Sequence, residues 1–187
     1  MAEKCKYRHE ECTRRFCSNC ELNAVVDDNC QRLMLSAPKY IPMEPGTYRL
    51  SVQVWIKCPS LYGLYVLQKR TRNTGYSPGM WSPLTGGVKA GEDVSSTICR
   101  EAKEELGIEV TNLKFIARQK HEEHFEEVWY AEVAGSTDPD AADINFVLQK
   151  EEVDTITFVK GDDIRKFFEE GTLMEDSYFK TYIPNDL

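Results

Sequence analysis

Apolar and polar positions alternate most regularly from Tyr48 onward. Leu50, Val52, Val54 and Ile56 fall on one side and Arg49, Ser51, Gln53 and Trp55 on the other, the period-two pattern of a half-buried strand. After the turn-forming residues 59–63, the run LYVLQK reads as the returning strand of a hairpin. Upstream, residues 22–34 read as two short strands around the turn Asp27-Asp28-Asn29, and prolines 38, 42 and 45 mark a loop. Residues 71–87, TRNTGYSPGMWSPLTGG, read as one long loop punctuated by glycine and proline, a length that compact domains keep mainly for function. The period then changes. Ile98, Cys99, Ala102 and Leu106 form a core-facing arc of a helix over 94–106, with Asp93 as its cap and Gly107 as its stop. Strands are expected near 114–117, 125–133 and 155–159. Residues 135–143 read as a loop, and Ile164, Phe167 and Phe168 mark a short helix stopped by Gly171. Strands interspersed with helices, several of them hairpin-joined, imply an α/β domain with a mixed sheet.

Composition adds bounds. The 187 residues suit one domain, 41% hydrophobic and 29% charged, with no apolar run near the roughly 20 residues of a membrane span. The stretch MAEKCKYRHEE lacks the apolar core of a secretory signal, so a cytoplasmic location is expected. A net charge of -8 argues against a nucleic-acid polymer as partner, while a small anionic ligand is still admissible where a metal or basic cluster inverts the local field. Residues 1–21 read as a cysteine-rich extension ahead of a domain over 22–187. Cys5, Cys12, Cys17, Cys20 and Cys30 are either reduced thiols, the expected state, or part of a zinc site centred on the CxxC at 17–20.

Glu101, Glu104 and Glu105 crowd into one helical turn, spanning roughly 100° of the surface beside the apolar arc. Like charges so placed repel unless a cation joins them. Clustered carboxylate oxygens suit a hard divalent ion such as Mg²⁺, usually shared with substrate phosphates. Gly86, Gly87 and Gly91 precede the helix and allow a close backbone approach.

The spacing is also that of a known motif. Gly86, five residues, Glu92, seven residues, then Arg100-Glu101, Ala102, Lys103, Glu104-Glu105, Leu106, Gly107 and Ile108 resembles the Nudix box at every fixed position. Flanking segments, including Ser77-Pro78-Gly79-Met80-Trp81 and EVDTITFVKGDDI, extend the resemblance over about residues 22–187. It implies an α/β/α sandwich with a mixed sheet and a hydrolase that cleaves a diphosphate linked to a moiety X, usually in a nucleoside diphosphate. By motif position, Glu104 and Glu105 become the main Mg²⁺ (or Mn²⁺) ligands, Glu101 a further ligand, and Gly86 a source of backbone geometry and a carbonyl ligand. Arg100 orients a carboxylate such as Glu92, and Gly107 closes the box.

Other residues keep two readings at this point. Glu127 is the one charge on a face with Phe125, Trp129, Ala131 and Val133: a water-activating or metal-binding carboxylate, or a residue of the preceding loop. His121 and His124 are expected to be exposed loop residues. Lys69, Arg70 and Arg72 either grip a phosphate or form a surface cluster. Tyr76 and Trp81 either stack on a base or, for Trp81 above all, serve the core. The flanks, including ELNAVVDDN, look closest to an isopentenyl-diphosphate isomerase-like branch, which gives the alternative function. Pro83-Leu84-Thr85-Gly86, however, holds no catalytic cysteine where that branch has one. A homodimer is compatible with all of this.

Overall fold

The computed structural model describes residues 21–39, 41–135 and 144–174. The cysteine motif at 17–20 and most of the loop over 135–143 lie outside them. The described strands are β1 (Leu22–Val26), β2 (Arg32–Pro38), β3 (Tyr48–Cys58), β4 (Leu64–Arg70), β5 (Trp81–Ser82), β6 (Leu84–Gly87), β7 (Val110–Lys120), β8 (His124–Val133) and β9 (Val153–Val159). The helices are α1 (Val94–Glu101), continued by a π turn over Ala102–Leu106, and α2 (Gly161–Glu169). The strands form one mixed sheet, and among the described residues no helix is long and apolar enough to cross a membrane.

Strand β3 organises the sheet. One edge pairs in parallel with β8, from Arg49↔His124 to Lys57↔Glu132; the other meets β1, β6 and β4 in succession, all antiparallel. A strand paired on both edges with helices over both faces is buried on both sides. The expectation of a half-buried β3 is therefore corrected: Gln53 and Trp55 are as fully enclosed as Val52 and Val54. One face, with Ala24, Val26, Val52, Val54, Ile56 and Val66, packs under Ile98, Ala102 and Leu106. The opposite face, with Trp55, Tyr65, Leu67, Val128 and Tyr130, packs against Ile164 and Leu173. Cys99, placed in the core arc by periodicity, is exposed instead.

The long loop expected over 71–87 contains β5 and β6. Gln68↔Ser82 and Val52↔Gly86 pairings draw these short strands into the sheet. Asp93 caps α1 as expected, its Oδ1 accepting from the Ser96 amide at 2.8 Å, and Gly107 ends the π turn at φ +72°.

Candidate active site

Strand β6 delivers Gly86 against the helix. A Cβ at Gly86 would lie 2.6 Å from Oε1 of Glu101, so only glycine lets strand and carboxylate meet there. Arg100 stands at the centre of the box. Its Nε and Nη2 bind Oε1 and Oε2 of Glu92, both at 2.9 Å, a two-pronged charge-assisted pair. Nη1 reaches Glu101 Oε1 at 2.8 Å and Glu104 Oε2 at 3.0 Å, and Nη2 also donates to the Gly87 carbonyl at 3.2 Å. Glu92 is held further by Thr97 Oγ1 at 2.8 Å and the Lys89 amide at 3.3 Å. The Arg100 hydrogen bonds, ahead of those from Thr97, bring the Glu92 carboxyl down to about 2.

Glu101 and Glu105 behave oppositely. They keep 9% and 4% of their surface, and burial raises their carboxyls to about 7 and about 8 despite help from Arg100 and from Gln68. Gln68 Nε2 donates to Glu105 Oε2 at 2.7 Å. Glu104 is half-exposed beside them.

Gly86, Arg100, Glu101, Glu104 and Glu105 line a cleft of roughly 380 Å³ that also holds Arg70, Tyr76, Thr85, Glu126 and His124. Oxygen donors from Glu101, Glu104, Glu105 and Gly86 therefore share one cavity, and desolvated carboxylates of this kind fit a hard divalent cation in chemical type. Among the described residues no three His, Cys, Asp or Glu side chains converge as a ready-made cage, since Arg100 engages Glu101 and Glu104 while Gln68 engages Glu105.

The structure separates other candidates from the cleft. Glu127 is buried on β8, but Arg118 takes its Oε1 at 2.6 Å and Trp129 Nε1 its Oε2 at 3.0 Å, and it does not line the cavity. The adjacent Glu126 does. With its side-chain amide turned to the orientation that satisfies both neighbours, Gln53 donates to Oε2 of Glu126 at 3.0 Å and accepts from Trp55 Nε1 at 3.1 Å. Two consecutive buried glutamates point to opposite faces of one strand; periodicity singles out Glu127 as the one charge on an apolar face, whereas it is Glu126 that borders the cleft. Trp81 packs edge-on to Phe167 with ring centroids 5.9 Å apart, and Lys69 caps its ring at 5.6 Å, so Trp81 serves the core. Lys69 and Arg72 face a separate depression with Pro78, Gly79 and Asp154; Arg70 alone of the three borders both cavities, its Nε donating to the Tyr76 carbonyl at 2.9 Å. His121 and His124 are not exposed loop residues. They stack at 3.9 Å, and burial, with the neighbouring His121 and Arg49 charges, depresses His124 to about 4.

Gln68 was missed, yet it carries a signal: it shares a strand face with the core residue Val66. Asn23 and Lys39, which also border the cleft, come from the β1–β2 hairpin and its exit. Only long-range pairing brings them there.

A family model described as the NUDIX domain matches residues 47–176. An NAD-capped RNA hydrolase, NudC, of Pseudomonas aeruginosa is 34% identical over 108 residues, covering 56% of this chain and 35% of that protein. A nucleoside triphosphatase, NudI, of Salmonella schwarzengrund is 43% identical over 54 residues, covering 28% of this chain and 38% of that protein. The chain thus spans little more than a third of the length of these curated relatives. Among solved structures, DR0079 of Deinococcus radiodurans superposes with a TM-score of 0.64 at 15% identity, covering 86% of this chain and 96% of that one. A MutT protein of Methanosarcina mazei gives 0.53 at 19% identity over 73% and 90%. At such identities the two structures speak to the fold alone, and they share it.

Proposed function

Because the chain belongs to the NUDIX family, we propose that it hydrolyses the diphosphate linkage of a nucleoside diphosphate joined to a further moiety, with a divalent cation held by Glu101, Glu104 and Glu105. The observation that carries this reading is the pair of cleft carboxyls, Glu101 and Glu105, that burial leaves short of negative-charge compensation. Mg²⁺ or Mn²⁺ bound there supplies charge neutralisation for phosphate oxygens and a more acidic water.

The chain's own groups supply the rest. Arg100 orients Glu101 and Glu104 from a position fixed by Glu92. Glu126, held by Gln53 within the same cleft, takes the proton-accepting role that the sequence reading gave to Glu127. Arg70 and Tyr76 stand at the substrate side, with Arg70 available to an outer phosphate. Thr85 lines the cavity, and among the described residues no cysteine does, which favours hydrolysis over the thiol-dependent isomerisation.

A substrate screen tests the reading. Dinucleotides of the NAD type, nucleoside triphosphates and nucleotide sugars are incubated with Mg²⁺ or Mn²⁺ and followed by ³¹P NMR. At least one is cleaved within its diphosphate, and chelator stops the reaction. Inertness towards all three classes, or cleavage indifferent to chelator, contradicts the reading.

A further inference from the structure

Two glutamines, Gln53 and Gln68, are enclosed in the sheet, and each donates to a carboxylate that borders the cleft: Gln53 to Glu126 and Gln68 to Glu105. Neither glutamine borders the cleft itself. Gln68 belongs to β4, opposite Ser82 of β5 on one side and Ile156 of β9 on the other, so the sheet sets its place and not the helix that carries Glu105.

Packing gives no reason for an amide at this position. Gln68 is 2% exposed, and while its Nε2 donates to Glu105 Oε2 at 2.7 Å, its own Oε1 is closed off without a hydrogen-bond partner. A methionine of similar shape would leave no polar atom unpaired there. The use of the amide lies on its donor side. Among the described residues, the bond from Gln68 is the one hydrogen bond that the Glu105 carboxylate receives, and no lysine or arginine pairs with it. Oε1 of Glu105 is not closed off, so it is the oxygen open to the cleft. Arg100, by contrast, pairs with Glu92, Glu101 and Glu104. A cation in the place of Gln68 would orient Glu105 but also neutralise it and compete with a metal ion. A neutral N–H donor orients the carboxylate and leaves its charge to the cleft.

We propose that Gln68 is a positioning residue for the divalent cation: it holds Glu105 Oε2 from behind the cleft and so presents Oε1, with its charge undiminished, as a metal ligand. The inference rests on the metal-dependent reading above and assigns to β4 the part of that site which lies outside the helix.

The test measures metal binding without substrate. Mn²⁺ is titrated into metal-free wild type, Gln68→Met, Gln68→Leu and Gln68→Lys at neutral pH, and free Mn²⁺ is read from its electron paramagnetic resonance signal. Affinity should fall roughly tenfold or more in all three variants, lysine included, because it neutralises the carboxylate it holds. Gln68→Met made in a Glu105→Gln background should lower the affinity no further, since the carboxylate that the amide serves is gone. Metal-free Gln68→Met and Gln68→Leu should melt within a few degrees of wild type. Unchanged Mn²⁺ affinity in any of the three variants, an equal loss with and without Glu105, or a fall of more than about ten degrees in the melting temperature of both apolar variants would overturn the assignment. Wild type that binds no Mn²⁺ would overturn the metal-dependent reading itself and this inference with it, so the two failures are distinguishable.

Discussion

At the scale of single residues, the cleft sets two kinds of carboxylate side by side. Glu92, gripped by Arg100, is ionised and stabilising; Glu101 and Glu105 are ionisable at a cost. In the unfolded chain Glu101 and Glu105 release their protons near 4.5, whereas the folded protein holds them until about 7 and about 8. The folded state therefore binds more protons in that interval, and metal-free protein should lose stability as pH rises from about 4.5 to about 8. Urea denaturation in chelator at both ends of this window checks it, and Glu105→Gln should shrink the loss by roughly 2–4 kcal/mol. Glu92 has the opposite sign: its depressed carboxyl stabilises above about 4.5, and that contribution is lost as pH falls towards about 2. At neutral pH, Glu92→Gln should cost roughly 2–3 kcal/mol by the same denaturation assay, since it leaves Arg100 facing Glu101 and Glu104 without its anchor. The box residues were legible because their spacing is local to one loop and one helix. Glu126 was not, because which of two adjacent glutamates reaches the cleft depends on how β8 lies against β3.

At the scale of elements, the helix that bears the glutamates shows both what local sequence specifies and where it stops. Asp93 and Gly107 marked its ends correctly because capping is a matter of neighbouring residues. The π turn over Ala102–Leu106 was illegible. It goes with long-range bonds: the Val147 and Gln149 amides take the carbonyls of Leu106 and Glu105 at 2.9 and 3.0 Å. The same segment closes over Gly107, where a Cβ would lie 2.7 Å from Cβ and 2.8 Å from N of Val147, at a φ of +72°. Gly107→Ala should therefore destabilise by roughly 2 kcal/mol or more, against about 1 kcal/mol for Asp93→Ala. Thermal melts of the two variants should rank in that order, and a Gly107→Ala protein as stable as wild type would contradict the close approach. Strands β5 and β6 escaped the sequence reading for a related reason. Two and four residues carry too little periodicity, and their partners lie on β4 and β3.

For the whole molecule, α/β class and the mixed sheet followed from the succession of strand and helix patterns, while topology did not. The parallel β3–β8 pairing joins segments as far apart as Ser51 and Phe125, whose side-chain hydroxyl and carbonyl meet at 3.2 Å. That pairing makes β3 an interior strand and sets one end of β8, with Glu126 and His124, beside the box. Hairpin, sheet and helix thus meet at one cavity in an acidic protein, and its buried carboxylates give that cavity a use for a divalent cation. Glu104 is the ligand candidate whose loss should disturb packing least, being half-exposed and bonded chiefly to Arg100. The most direct test is the turnover of Glu104→Gln against wild type, on whichever diphosphate the screen identifies, with Mg²⁺ and with melting temperature recorded in parallel. A fall of about 10²-fold or more in kcat, with the metal-free melting temperature within a few degrees of wild type, is the predicted result. Near-normal turnover in that variant would contradict a metal-bearing catalytic role for the cluster.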